Sequence, residues 1–439
     1  MPYQEELAYL YSLRQFGIKL GLSNIRHLCA ILGNPQDHIK TIHIAGTNGK
    51  GSTAAVLASI LKDAGYSVGL YTSPHLSDFT ERIQINNMHI SREDVLYLIK
   101  NIREQIKGSG LQPTFFEFTT ALAFMYFANK GIDIAIIEVG MGGRLDATNI
   151  INPLVSIITN VEYDHTEHLG PTLENIAMEK CGIIKSCAPV VTSETKTNIL
   201  SIIEKGAKKS GTLSYAYGKD FNAVPVRITE DISEFYYNGY RLRGLLLQSR
   251  LRGRHQLFNM GSAIYTIELL TGKGFDVNEG HIISGIENTS WPGRLEFFPG
   301  CPGVILDGAH NHAGIIALRE FIEGVLLKRE VVGKIIFVFG VLKDKDAGSM
   351  AGELIPYASE IIITKPDSER GLDVEILMEI FEGYGVKALS ADTISEALNL
   401  AYRIASPDDI IIFTGSLYVV GEARELILTR GHAPIRERG

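Results

Sequence analysis

Lys50 and Ser52 stand in Gly46-Thr-Asn-Gly-Lys-Gly-Ser-Thr53, a lysine and a hydroxyl spaced to hold a polyphosphate. The lysine would reach the outer phosphates and the hydroxyl would be offered to Mg²⁺, while Thr47, Asn48, Gly49 and Gly51 lend a main chain that can approach an anion closely. The spacing departs from the standard Walker A pattern: a glycine separates Lys50 from Ser52, and Ile44 occupies the place of the first glycine. A glycine turn that merely packs a helix on a sheet would account for the glycines. It would not account for the lysine and hydroxyls in the same strand–turn–helix context.

Further polar residues recur just after apolar runs. Ser73 follows Tyr66–Thr72, Glu138 nearly ends Ile132–Val139, Asp164 and His165 follow Val155–Thr159, and Asp307 closes Val304–Leu306 with His310 behind it. A hydroxyl, a carboxylate and an imidazole near a phosphate loop fit ligands of a divalent cation. Mg²⁺ prefers oxygen, so His165 is open to two readings, a metal ligand or a hydrogen-bonding and capping residue. Lys180 is open in the same way. Leu173, Ile176, Ala177 and Lys180 share one helical stripe, so the lysine either extends its amine outward or sits near the site with a depressed pKa. A neutral amine there can take up CO₂ as a carbamate, an anionic oxygen ligand.

The elements that must position these groups follow from the apolar pattern. Ile42, Ile44 and Ala45 predict a short buried strand, Ser52–Leu57 opens a helix, and Ile132–Val139 is continuous enough for a central parallel strand covered on both faces. Residues 3–32, 92–107 and 117–130 carry helical spacing. Strands alternating with helices predict a doubly wound α/β sheet, in which ligands bind beyond the carboxyl ends of strands. Phe235–Leu242 is an aromatic run broken by Asn238-Gly239, which predicts a hairpin turning at that dipeptide in a small antiparallel sheet appended to the first domain. Ser290-Trp-Pro-Gly-Arg294 marks the boundary, and Val304–Leu306, Ile335–Phe339, Glu360–Thr364 and Ile410–Thr414 predict a second α/β sheet. The expected architecture is α/β: a P-loop-type, mostly parallel domain over 1–291 with its antiparallel β subdomain, and a smaller Rossmann-like α/β domain over 292–439.

Composition narrows the partners. The 439 residues exceed one ordinary core, and 42 basic against 50 acidic residues give −8 with no basic block, so nucleic acid is not expected as a partner. Four cysteines without metal-type spacing suit a reducing compartment. No basic n-region followed by an apolar core opens the chain, and no apolar run approaches a bilayer span. A cytoplasmic protein away from membranes, acting as a monomer, is the expectation.

The ordered blocks around these residues resemble the Mur ligase superfamily, most closely its folylpolyglutamate synthase/dihydrofolate synthase branch. They run Ala45–Ser52, Thr72–Leu76, Thr80-Glu-Arg82, Phe115-Phe-Glu-Phe118, Glu138–Asn149, Asp164-His165 with Leu169-Gly170, Glu179–Ile183, Trp291-Pro-Gly-Arg294, Asp307–Asn311, Leu342–Asp346 and Thr414–Tyr418. The glycine after Lys50 is the folate branch's own feature, where cell-wall ligases usually carry threonine. The resemblance implies an ATP-dependent ligase that phosphorylates a folate or pteroate carboxylate and lets L-glutamate attack the acyl phosphate. Carried over by position, Thr47–Ser52, Asn259, Arg294 and Asp307 would bind ATP, and Ser73, Glu138, His165 and a carbamylated Lys180 would hold Mg²⁺ in two sites, with room for a monovalent cation. Arg82, Thr114, Phe116 and the turn Leu145-Asp146-Ala147 would take the folate. His310 and Ser416 would meet glutamate, and Lys50, Lys180 and His310 would carry catalysis.

Three rival readings stand at this point. A cell-wall UDP-muramoyl amino-acid ligase predicts a UDP-sugar domain ahead of the loop, where the sequence has only an apparently helical stretch. A nucleotide-gated binding protein leaves Lys180, Arg294 and Asp307 without a common purpose. A P-loop kinase would need an arginine-bearing lid, for which no convincing segment is found.

Overall fold

The computed structural model describes residues 2–17, 21–331 and 333–430. The chain packs as two compact units, Met1–Val224 with Tyr236–Leu247 and Phe258–Thr289, and Pro225–Phe235 with Gln248–Leu257 and Ser290–Gly439. Among the described residues no helix is long and apolar enough to cross a membrane.

The first unit is built on eight strands: β1 Thr41–Ala45, β2 Val68–Tyr71, β3 Ile83–Ile85, β4 Met88–His89, β5 Ile134–Glu138, β6 Val155–Ile158, β7 Val190–Thr192 and β8 Ser214–Ala216. Their order is β4-β3-β2-β5-β1-β6-β7-β8. β2, β5, β1, β6, β7 and β8 pair in parallel, and only the β2–β3 and β3–β4 pairs at one edge are antiparallel. Every residue of β1, β5 and β6 is buried, as strands covered on both faces require. The helix Lys50–Asp63 that follows β1 buries ten consecutive residues, Ser52–Leu61, so it too is enclosed. Gly285 of the helix Glu279–Glu287 lies so near it that a Cβ would stand 2.5 Å from Ile60 Cα. The helical reading of residues 3–32 resolves into helices Pro2–Ser12 and Ser23–Ile31 with a short 3₁₀ turn, residues 18–20 lying outside the described ones.

The chain leaves β1 toward β2 on one side and later returns to place β6 on the other. That reversal opens a crevice at the carboxyl end of β1, the place where open α/β sheets bind ligands.

A three-stranded antiparallel sheet joins β9 Asn222–Ile228, β10 Ser233–Asn238 and β11 Arg243–Ser249 in the order β11-β10-β9. The hairpin differs from the sequence expectation. Asn238 ends β10, and the turn occupies Gly239–Leu242, closed by the Gly239 N–H on the Leu242 carbonyl at 2.7 Å. The cause is remote in sequence: Glu268 accepts the N–H groups of Tyr240, Arg241 and Leu242 at 2.9, 3.2 and 2.8 Å. One carboxylate satisfying three turn donors outweighs the local preference of Asn-Gly for a two-residue turn.

The second unit carries β12 Glu296–Phe298, β13 Gly303–Leu306, β14 Ile335–Phe339, β15 Glu360–Ile363, β16 Leu389–Ser390 and β17 Ile410–Thr414, ordered β12-β13-β17-β14-β15-β16. Only β12 is antiparallel. The central β14 and β17 are buried throughout. Phe337, Phe339 and Phe381 fill one face, each fully buried ring contributing about 1.5–3 kcal/mol by removal from water.

Candidate active site

At the end of β1 the loop turns sharply and Lys50 opens the helix. Gly49 has φ +82°, and a Cβ there would lie 2.2 Å from Asn259 Oδ1, so this turn admits glycine and brings Asn259 of the helix Arg254–Thr271 against the loop. The loop's leading amides face the protein. Thr47 N–H donates to the Asn160 carbonyl at 2.9 Å and Asn48 N–H to Asn160 Oδ1 at 2.8 Å. Thr47 Oγ1 also donates to the Glu162 carbonyl at 3.1 Å. The donors turned toward an anion are therefore those of the helix start, Lys50 to Ser52, which have no carbonyl one turn earlier in the helix. Lys50 Nζ folds over the loop, donating to the carbonyls of Gly46 at 3.1 Å and Thr47 at 3.0 Å.

Sequence spacing did not single out Asn160 and Glu162. Their only sequence signal is position, directly after β6 and before Asp164-His165.

The carboxyl ends of β5, β1 and β6 align: Val139 N–H donates to Ile44 O and Thr159 N–H to Ala45 O, both at 2.9 Å. Glu138 is thereby brought to the crevice, buried, with Oε2 accepting the Ser73 N–H at 3.0 Å. This pairs a hydroxyl residue with a carboxylate across the ends of β2 and β5, an oxygen-rich set suited to Mg²⁺. His165 lies beyond β6 at φ +50°, its imidazole half-exposed and Nε2 3.8 Å from Asp164 Oδ1. Among the described residues no group of three or more His, Cys, Asp or Glu side chains is placed to hold a metal ion. The expected set contains only Glu138 and His165 of those types, so Lys180 is the decisive residue.

Lys180 does not extend outward. It is 3% exposed near the end of the helix Leu173–Cys181. Burial lowers its pKa to about 7, the nearby Lys50 charge adds to that, and Asp164 opposes it. Its position is fixed by the turn Gly140–Asn149. Gly182 packs so closely that a Cβ would stand 2.3 Å from Arg144 Cα, while Arg144 N–H donates to the Glu179 carbonyl at 2.8 Å and its guanidinium pairs with Glu179 at 2.7 Å. Asn149 Nδ2 ties the turn to Gly182 O at 3.0 Å.

The residues expected on the folate side are contiguous. Phe116 lies over Gly140, whose Cβ would meet the ring at 2.5 Å, and the neighbouring Met141 N–H donates to Asp146 Oδ2 at 2.9 Å. Arg82 is buried, its guanidinium over the Phe115 ring at 5.3 Å and its Nε donating to His75 Nδ1 at 2.7 Å. Burial and the Arg82 charge push the His75 pKa down to about 3, so that ring is neutral. Thr114 caps the helix Phe115–Lys130 in a box with Glu117. Leu145 is half-buried and Ala147 buried beside Asp146, whose Oδ1 caps the Thr148 N–H at 3.0 Å.

In the second unit Asp307 ends β13, with Oδ2 on the Leu295 N–H at 2.9 Å and Oδ1 on the Ala309 N–H at 3.1 Å. Burial raises its pKa, and the Arg294 charge pulls the other way. Arg294 Nη1 donates to the Gly293 carbonyl at 3.0 Å. His310 Nδ1 lies 2.8 Å from the Gly308 carbonyl. A carbonyl only accepts, so Nδ1 carries the proton and Nε2 is the basic nitrogen. Gly415 N–H donates to Ala309 O at 3.0 Å, setting the 307–311 turn beside Ser416, whose Oγ caps the helix Leu417–Thr429.

A glycine loop at the reversal point of a parallel sheet, with a carboxylate and a buried lysine on the same edge, defines an α/β phosphate-binding protein of the P-loop class. Residues 44–267 match the Mur ligase middle domain and residues 293–417 the Mur ligase, glutamate ligase domain. The chain belongs to the Mur ligase family, in its folylpolyglutamate synthase/dihydrofolate synthase branch. It is 34% identical over 436 residues to the dihydrofolate synthase/folylpolyglutamate synthase of Bacillus subtilis, covering 96% of this chain and 98% of that one. It is 34% identical over 438 residues to a probable bifunctional folylpolyglutamate synthase/dihydropteroate synthase of Haloferax volcanii, of which it spans 50% with 97% of its own length. Among solved structures it superposes on Escherichia coli FolC in complex with DHPP and ADP with a TM-score of 0.87, 30% identity and coverage of 97% and 98%.

Proposed function

We propose that this chain is an ATP-dependent ligase joining the carboxylate of a reduced folate or dihydropteroate to the amine of L-glutamate, with release of ADP and phosphate. The observation that carries the reading is Lys180, an amine buried at 3% exposure on the helix beside the phosphate loop, where burial and the charge of Lys50 lower its pKa to about 7. The relatives' names and the ADP and DHPP held by the E. coli protein supply the substrate class.

Residues 1–291 form the ATP-binding domain of this reading and 292–439 the glutamate-ligase domain. Lys50 and the first amides of its helix neutralise the phosphates of ATP, with Asn259, Arg294 and Asp307 as further ATP contacts. Ser73, Glu138, His165 and Lys180 as its carbamate would hold Mg²⁺ in two sites. Bound there, the metal supplies positive charge to a phosphoryl group passing between two anions, chiefly an electrostatic task. The folate carboxylate attacks the γ-phosphorus, ADP leaves, and the glutamate amine attacks the acyl phosphate. His310 Nε2 takes the amine proton as the C–N bond forms, the tetrahedral intermediate expels phosphate, and Ser416 lies beside the incoming glutamate. Arg82, Thr114, Phe116 and the Leu145–Ala147 turn hold the folate, with the aromatic face of Phe116 suited to a flat heterocycle. The reading places a monomer in the cytoplasm, acting on small molecules and needing neither nucleic acid nor membrane.

Phosphate release should require ATP, L-glutamate and a reduced pteroate or folate together. Dihydropteroate and tetrahydrofolate, assayed side by side, separate addition of the first glutamate from addition of later ones. Equal turnover with a UDP-muramoyl substrate would replace the reading with a cell-wall ligase. Nucleotide binding without any acceptor-dependent phosphate release would leave a nucleotide-gated binding protein.

A further inference from the structure

Asp146 does more than cap its own turn. Thr148 Oγ1 donates to Asp146 Oδ1 at 2.5 Å, and the same hydroxyl lies 2.8 Å from His43 Nε2. His43 belongs to β1, the strand that runs into the phosphate loop, and is fully buried. Its other ring nitrogen, Nδ1, has no hydrogen-bond partner among the described residues. A three-residue chain therefore joins the centre of the sheet to the carboxylate at the folate side.

The chain has a direction. A hydroxyl carries one hydrogen, and Thr148 spends it on the carboxylate, so His43 must donate through Nε2–H. That tautomer leaves a bare lone pair at Nδ1. The reverse chain would run from a protonated Asp146 through Thr148 to His43 Nε2 and strand an N–H at Nδ1. A buried donor without a partner costs about 1–3 kcal/mol. Burial, reinforced by the charge of Lys185, lowers the His43 pKa to about 3, so the ring stays neutral in either arrangement. Burial also raises the Asp146 pKa, and the hydrogen bonds from Thr148 and from the Met141 and Gly140 amides act against that rise.

We propose that His43 is a positioning residue for the heterocyclic end of the acceptor substrate: through Thr148 it keeps Asp146 ionised and oriented, with one oxygen anchored inward and the other beside the Met141 amide. A carboxylate fixed in this way suits a paired N–H and NH₂ edge, such as the 2-amino-4-oxo ring of a pterin presents. The ligand's identity rests on the ligase reading above. The direction of the hydrogen-bond chain does not.

Two experiments test the proposal separately from that reading. In ¹⁵N spectra of the histidine-labelled, ligand-free protein at neutral pH, His43 should be protonated at Nε2 and bare at Nδ1; an Nδ1–H tautomer overturns the proposal whatever the enzyme's substrates prove to be. Steady-state kinetics then compare His43→Phe, which keeps a ring without a donor, Thr148→Val, which removes the hydroxyl, and His43→Gln, which returns an amide donor near the Nε2 position. The KM for the pterin-bearing substrate should rise about tenfold in His43→Phe and in Thr148→Val, the cost of one charge-assisted hydrogen bond. The KM values for ATP and glutamate should stay within about twofold, the double variant should be no worse than Thr148→Val, and His43→Gln should recover most of the loss. Equal rises for all three substrates, an unchanged pterin KM in a folded variant, or additive losses in the double variant would each overturn it.

Discussion

Lys180→Met is expected to remove turnover while leaving a folded, nucleotide-binding protein. Methionine fills a similar length of pocket without an amine, so the carbamate expected as a metal ligand cannot form. Losing one preorganised electrostatic contributor to a transition state costs roughly 10²–10³ in kcat, and loss of a metal site with it should place the effect at the upper end. ATP affinity, read by equilibrium binding, should change little, because the loop amides and Lys50 remain. Stability should move in the opposite direction from activity. The folded pKa of Lys180 is about 7, below the ordinary lysine value of 10.5 carried by the unfolded chain. Between those values the unfolded chain binds the extra proton, so wild-type stability rises with pH across that window and the full penalty applies below pH 7. Lys180→Met should therefore melt at a higher temperature than wild type at pH 6, with the gap closing toward pH 10. A variant with full ligase turnover would remove Lys180 from the mechanism, and an equal melting temperature at pH 6 would contradict its buried, destabilised charge.

Lys50→Ala carries the second large effect, through two routes. In the proposed reading the ammonium supplies the loop's charge for the outer phosphates, and in the structure it clips the loop through the carbonyls of Gly46 and Thr47. Loss of the phosphate contact alone is worth roughly 10²–10³ in kcat/KM. The second route is electrostatic. Lys50 helps depress the Lys180 pKa, so removing it should raise that pKa and reduce the neutral fraction available to CO₂. With ¹³C-labelled bicarbonate near pH 7.5, the carbamate signal of Lys50→Ala should be weaker than that of wild type, and Lys50→Arg, which keeps the charge, should restore it. An unchanged carbamate signal in Lys50→Ala would show that the two lysines are not coupled.

The features legible in the sequence were those set by short-range chemistry. The apolar runs around Ile42–Ala45 and Ile132–Val139 read as covered strands and the glycines after the first as a close-approach turn, and the structure has strands at Thr41–Ala45 and Ile134–Glu138 with Gly49 at φ +82°. What stayed hidden depended on partners far along the chain. Asn238-Gly239 has strong local turn chemistry, yet Glu268 draws the turn to Gly239–Leu242 by taking three of its amides. Helical spacing put Lys180 on the inward stripe without deciding whether its amine escaped. The docking of Arg144 and Gly182 at the helix end encloses it. Thr47 and Asn48 matched the phosphate motif by type, and the partner that takes both of their amides, Asn160, was not visible in that motif. No local rule links Thr47 to a residue more than a hundred positions away.

The proposed ligase phosphorylates a substrate carboxylate before the amide forms, and the fate of that carboxylate's oxygen tests this most directly. With the acceptor carboxylate labelled in ¹⁸O, ATP and L-glutamate, one labelled oxygen per turnover should appear in the released phosphate, since the bridging oxygen leaves with phosphorus when the tetrahedral intermediate collapses. Released phosphate without label, alongside amide product, would contradict the acyl-phosphate account.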